Sequence, residues 1–181
     1  MKKGFTLTEI MIALAVIAIL TVILMPMIFK LRPNQEVLMT KRAYYQTLTI
    51  VSEMINNEKC YPFVYDQVGF EDGTHYTDCP VNGNINQKFR RLFRTYISND
   101  GIDNNFVTKD GMRWRFNGNL IRGRNGESFT TLTVDTTGDD AQRDHDTFSM
   151  RIYGSGKVEI TGANADWAKE AVGVDRSIVG E

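Results

Sequence analysis

From Ile10 to Phe29 the chain is an apolar run in which only Thr21 and Pro26 fall outside Ala, Val, Ile, Leu, Met and Phe. At about 1.5 Å per residue, a helix of roughly twenty residues spans the ~30 Å hydrocarbon core of a bilayer, so the run predicts a membrane-spanning helix. Lys2 and Lys3 precede it. The positive-inside bias keeps them cytoplasmic and sends everything after Phe29 outward. A cleaved secretory signal also starts with a short basic stretch and an apolar core. That core runs about 7–15 residues to a small-x-small site, whereas this longer run ends Met25-Pro26-Met27-Ile28-Phe29-Lys30. The anchor is expected to stay on the mature chain.

Glu9 sits at the edge of the run. A carboxylate in lipid is costly unless it is paired, which makes an intramembrane acid a functional candidate by default. The alternative is that Glu9 lies in the headgroup layer as an extension of the charged start.

Gly4-Phe5-Thr6-Leu7-Thr8-Glu9, with a two-lysine leader before it, an apolar helix after it and Pro26 inside that helix, resembles the class III signal of type IV pilins and pseudopilins. The resemblance covers about the first thirty residues. It implies a leader ending at Gly4, cleavage between Gly4 and Phe5 by a prepilin peptidase on the cytoplasmic side, and methylation of the new Phe5 amine. It also implies that Glu9 complements the Phe5 amine of a neighbouring subunit during assembly, and that Pro26 marks where the helix bends or melts in a filament. The chemistry fits each role. A cut before Phe5 leaves the apolar run on the mature chain, a buried amine and a buried carboxylate neutralise each other, and proline removes one helical hydrogen bond.

The 181 residues, 42% of them hydrophobic, leave room for one membrane segment and one modest globular domain, and the net charge of −1 gives no argument for an anionic partner. Cys60 and Cys79 are the two cysteines. Both lie on the expected outer side, where disulfides persist, so a bridge is expected, with two free thiols as the alternative. With only His75 and His145 besides, no zinc-ligand spacing is present.

After the anchor the helix is expected to continue, with Leu31-Arg32-Pro33 as a candidate interruption. Val37, Tyr44, Leu48, Val51 and Ile55 then recur at helical steps and predict an amphipathic helix to about Asn56-Asn57 whose apolar face needs a small sheet as partner. The pattern is irregular from Glu58 to about Gly111, except that Phe89, Leu92, Phe93, Tyr96 and Ile97 predict a short helix with Lys88, Arg90, Arg91 and Arg94 on its polar face. That basic cluster reads as a solvated face or subunit contact, or else as a site for DNA or anionic lipid. Period-two runs follow: Met112, Trp114 and Phe116, then an Asn117-Gly118 hairpin turn into Leu120-Ile121, then Leu132 and Val134, then Phe148, Met150 and Ile152, then Val158 and Ile160 after Gly154-Ser155-Gly156. They predict three to five antiparallel strands with one face buried. Trp167, in a short helical stretch from Ala165 to Val172, is expected to pack against that sheet.

Between two of these runs lie Asp135, Asp139, Asp140, Asp144 and Asp146. Clustered carboxylates suit calcium, with Asp135, Asp139, Asp144 and Asp146 as the candidate ligands, although the spacing is not that of an EF-hand. The alternative is a solvated turn whose acids cap and screen each other, with Arg143 as a counter-charge. No Gly-rich phosphate loop, nucleophile elbow or zinc-binding histidine pair is present. His145 beside Asp144 and Asp146 is weak ground for a catalytic base, and no enzymatic activity or cofactor other than calcium is expected.

The fold class expected is α+β, a long N-terminal helix whose second half packs on a small antiparallel sheet, as in pilins. Its parts are leader 1–4, filament-core helix 5–30, amphipathic half 31–57, and loop region with sheet 58–181. The expected function is a structural subunit of a type IV pilus. It would form a homo-oligomeric helical filament, meet the prepilin peptidase and assembly machinery, and sit as a single-pass inner-membrane protein before becoming part of an extracellular fibre. The alternatives are a pseudopilin of a type II secretion system, with a periplasmic filament, and a minor pilin that binds DNA through the basic cluster. Nucleic acid is not the expected partner.

Overall fold

The computed structural model describes residues 6–30, 34–63, 69–70, 78–79, 81, 87–97, 105–117, 121, 128–138 and 145–174. The chain divides into two compact units, Met1–Gln35 and Glu36–Glu181.

The first unit is helix α1 (Leu7–Lys30). None of the residues from Leu7 to Met25 is buried within the chain. Exposed apolar side chains on every face are stable only against lipid or other apolar helices. The single hydroxyl inside the run is satisfied locally, Thr21 Oγ1 donating to the Ile17 carbonyl at 2.8 Å. The backbone stays helical through Pro26 to Lys30.

The second unit contains α2 (Gln35–Ile55), α3 (Lys88–Ile97), strands β1 (Asn105–Val107), β2 (Arg113–Asn117), β3 (Phe129–Asp135), β4 (Thr147–Tyr153) and β5 (Val158–Thr161), and α4 (Ala165–Val172). The strands form one antiparallel meander in the order β1-β2-β3-β4-β5. Its register stacks Trp114, Val134 and Phe148 in one row and Phe116, Leu132, Met150 and Ile160 in the next. All seven are buried. The opposite face carries a polar ladder in which Asn117 Nδ2 donates to Thr133 Oγ1 at 3.3 Å and Thr133 meets Ser149 Oγ at 3.0 Å. There, too, the Tyr153 phenol donates to Glu159 at 2.7 Å, and that bond raises its pKa. One wet and one dry face is the expected form of a small antiparallel sheet.

Helix α2 crosses this sheet from end to end. Arg42 Nε lies 3.3 Å from Asp110 in the β1–β2 turn. At the other end, a Cβ on Gly156 in the β4–β5 turn would meet Ile55 Cδ1 at 2.8 Å. A second close approach joins the two turns at the first end, where a Cβ on Gly138 would overlap the carbonyl of Gly111. Only glycine fits there, and the Gly138 φ of 67° also suits it. Helix α3 closes the core through Phe93, whose ring lies 5.3 Å from Phe116, and Phe89, 4.9 Å from Phe70.

Several expectations shift. The buried face of α2 is Thr40, Ala43, Thr47, Ile50, Val51 and Met54. Of the expected stripe only Val51 is fully buried, while Val37, Tyr44, Leu48 and Ile55 line the rim. Small and hydroxyl-bearing residues let a helix sit close to a sheet. The Thr47 hydroxyl is satisfied within its own helix, donating to the Ala43 carbonyl at 2.9 Å, so burying it leaves no open donor. The hairpin expected after Asn117 is replaced by pairing of β2 with β1 and β3. Ile121 is buried but outside any strand, and residues 118–120 lie outside the described residues. Strand β1, three residues long, falls in the stretch read as irregular.

The Cys60–Cys79 bridge forms, with a Cα–Cα distance of 4.7 Å across a separation of 19 residues. Cys60 is fully buried beside the aromatic core. In the chain-entropy account a bridge of this span stabilises by about 3 kcal/mol. Reducing it, or making Cys79→Ser, is therefore expected to lower the unfolding midpoint by roughly 6–12 °C. A midpoint unchanged by reductant would show that packing alone holds the loop.

Candidate functional site

The start of α1 is built by two side chains. Thr6 stands immediately before the first helical residue, and Glu9 is three residues further on. The Thr6 backbone N–H donates to Glu9 Oε2 at 2.8 Å and the Thr6 hydroxyl to the same oxygen at 2.7 Å, while the Glu9 N–H donates to Thr6 Oγ1 at 3.3 Å. This is a reciprocal capping box, which satisfies donors that a helix N-terminus leaves open and sets a carboxylate at the positive end of the helix dipole. Both bonds into the carboxylate end on Oε2. Glu9 is exposed in the single chain. The Thr-x-x-Glu spacing that announces a capping box is present in the sequence, but Glu9 stands out there as an acid bordering lipid and, through the resemblance, as partner of a neighbour's Phe5 amine, so the part played by Thr6 was missed.

Other candidate residues are distributed elsewhere. Gly4 and Phe5, the expected cleavage and methylation positions, lie outside the described residues, and Pro26 lies within the helical backbone of α1. Of the candidate calcium ligands, Asp139 and Asp144 also lie outside the described residues. Asp135 Oδ1 accepts from the Thr137 N–H at 3.0 Å, the Thr137 hydroxyl at 3.0 Å and the Gly138 N–H at 2.8 Å, so this carboxylate caps its own turn. Asp146 is 4% exposed, its carboxylate accepts from the Thr147 hydroxyl at 3.1 Å, and its carbonyl takes the Thr136 N–H at 2.8 Å. Among the described residues no three His, Cys, Asp or Glu side chains gather for a metal ion.

The basic helix face also differs from its expected form. Lys88 is 3% exposed and donates from Nζ to the Cys60 carbonyl at 3.0 Å, with the ammonium 4.5 Å above the Tyr61 ring. Arg94 lies over Phe106 at 5.2 Å and Arg90 over Phe116 at 5.9 Å. These long side chains use their cationic ends to cover aromatic rings. Trp167, expected against the sheet, is partly buried at the core edge and stacks on His145 at 5.0 Å.

The fold and this N-terminus define an α+β protein led by an exposed, lipid-compatible helix with a capped acidic start. Residues 1–25 match the family described as the prokaryotic N-terminal methylation motif. They carry the class III signal of type IV pilins and pseudopilins. No curated protein and no solved structure matches the chain.

Proposed function

We propose that this protein is a structural subunit of a type IV pilus filament. It is stored in the inner membrane through α1, cut between Gly4 and Phe5 by a prepilin peptidase, methylated on Phe5 and polymerised through α1. The observation that carries this reading is the methylation motif over residues 1–25, which takes in an apolar helix with no buried residue from Leu7 to Met25. In lipid such a helix is satisfied. Removed from lipid, it needs an equally apolar surround, which parallel copies of itself supply by close packing. The second unit, with its polar outer sheet face, is suited to coat such a bundle.

A pseudopilin shares every one of these features, and the two readings separate by where the mature chain is found. The DNA-binding reading loses ground, because Lys88 is buried and Arg90 and Arg94 stack on core aromatics. The test is the intact mass and N-terminal sequence of the protein in a sheared surface fraction from its native cells. A chain beginning at methylated Phe5 and abundant in that fraction is expected. The same chain confined to the envelope would make it a pseudopilin or minor subunit, and an unprocessed Met1 or a cut near Lys30 would overturn the proposal.

A further inference from the structure

The outward face of the sheet is positive although the chain is not. The net charge of the whole sequence is −1, yet this face presents Arg113, Arg115, Arg151 and Lys157 against Asp135 and Glu159. Both acids are already engaged. Asp135 caps its own turn, while Glu159 accepts from the Tyr153 phenol and lies 4.0 Å from Lys157. Arg115 is exposed and bonds to nothing among the described residues. Arg151 is exposed as well, with its guanidinium held 4.8 Å over the Phe129 ring. A guanidinium stacked on a ring has a fixed position, so Arg151 is pre-organised rather than freely solvated.

The register sets three of these cations in a line. Arg115 pairs with Thr133 and Thr133 with Ser149, and one row further Thr131 pairs with Arg151. In the next row the Tyr153 N–H bonds to the Lys157 carbonyl at 2.9 Å. Each step toward β5 is therefore also a step along the strands, and Arg115, Arg151 and Lys157 fall on one diagonal of the sheet. With strands about 4.8 Å apart and about 3.4 Å per residue, that diagonal is about 20 Å long. Between Arg115 and Arg151 its floor is Thr131, Thr133 and Ser149. The Thr133 and Ser149 hydroxyls lie 3.0 Å apart and keep capacity to bond outward, and the Thr131 hydroxyl bonds to nothing among the described residues.

A row of cations over hydroxyls fits an extended polyanion that carries hydroxyls of its own. A single-stranded nucleic acid would stack its bases on aromatic faces. The rings on this face, Phe129 and Tyr153, lie 5.5 Å apart and are covered by Arg151 and Lys157, so they offer no such platform. A duplex is read by an element that enters a groove, which the middle of a five-stranded sheet cannot do. We propose that the outward sheet face binds a linear acidic polysaccharide along this diagonal, with Arg115, Arg151 and Lys157 facing its carboxylates and Thr131, Thr133 and Ser149 its hydroxyls. This goes beyond the filament reading and does not depend on polymerisation.

The test uses the full chain in mild detergent and immobilised polygalacturonate, with dextran as the neutral polymer and single-stranded DNA as the other polyanion. The unaltered chain is expected to bind polygalacturonate at low salt, to release it as salt rises, and to ignore dextran. Arg115→Gln combined with Arg151→Gln is expected to weaken that binding about tenfold, while the thermal midpoint stays within about 3 °C because both side chains are exposed. Lys157→Gln, at the far end of the diagonal, is expected to weaken it about threefold. Lys59→Gln combined with Lys109→Gln removes the same charge from exposed positions off this face and is expected to change binding by less than about twofold. No binding to polygalacturonate, equal losses from the arginine pair and the lysine pair, or DNA held as tightly as polygalacturonate would each overturn the proposal.

Discussion

A Glu9→Ala chain is expected to enter the membrane and lose its leader normally, yet to appear in sheared fibres at about one-hundredth of the usual amount. Two effects are removed together. The first is the capping box that Glu9 makes with Thr6 through bonds of 2.7 and 2.8 Å. Loss of a cap costs about 0.5–2 kcal/mol and frays the first turn. The second is the charge that the filament reading sets against a neighbour's Phe5 amine. A charge left unpaired in an apolar surround costs about 3–5 kcal/mol, and 3 kcal/mol is already about a hundredfold in association. The charge therefore dominates the cap. Glu9→Gln separates the two, because glutamine closes a capping box as well as glutamate does but brings no charge. It is expected to fail nearly as badly as alanine. If the glutamine chain assembles normally, Glu9 acts only through the helix end and its pairing with an amine is wrong.

What could be read beforehand depended on whether a residue's role was set by its own neighbours in sequence. The apolar helix α1 was legible because its apolarity is carried by an unbroken run of neighbours, and the α3 helix because Phe89, Leu92 and Phe93 repeat at helical steps within a few residues of each other. Strands β2 to β5 were legible through alternation. β1 was not, because three residues are too few for a period and its place is given by Phe106 pairing with Trp114 across the turn. The α2 face was read from its largest apolar residues, but a helix crossing a sheet closely buries small ones too, so Thr40, Ala43 and Thr47 went inside with Ile50, Val51 and Met54, and Tyr44 to the rim. Lys88 could not be placed from sequence at all. Its burial depends on the carbonyl of Cys60, 28 residues earlier, which only the folded loop presents.

Replacing Trp114 by alanine is expected to be the most damaging single change in the second unit. The ring is fully buried, parallel to Phe106 with an interplanar angle of 3° and 6.2 Å between centroids, and 6.4 Å from Phe93 on α3. It thus joins the edge strand, its neighbour and the covering helix. Its indole N–H also donates to Thr108 Oγ1 at 3.2 Å. Thr108 bonds to the Asp110 carboxylate, and Asp110 holds Arg42 on α2. One side chain therefore links the core to the helix that crosses the sheet. Truncating a buried tryptophan costs about 3–5 kcal/mol. That is a large part of the roughly 5–15 kcal/mol available to an ordinary domain, and it corresponds to a midpoint lower by roughly 6–20 °C. Trp114→Phe keeps most of the packing and loses the indole hydrogen bond, so it is expected to cost only about 1–2 kcal/mol. Trp167 stays as the sole fluorescent indole in either variant, and its partly buried place beside His145 predicts that Trp167→Ala is the milder change. Thermal unfolding of the three variants in one detergent orders them. If Trp114→Ala unfolds within about 3 °C of the unaltered chain, or below it by less than Trp167→Ala, the centre of the core is not at the β1–β2–α3 junction.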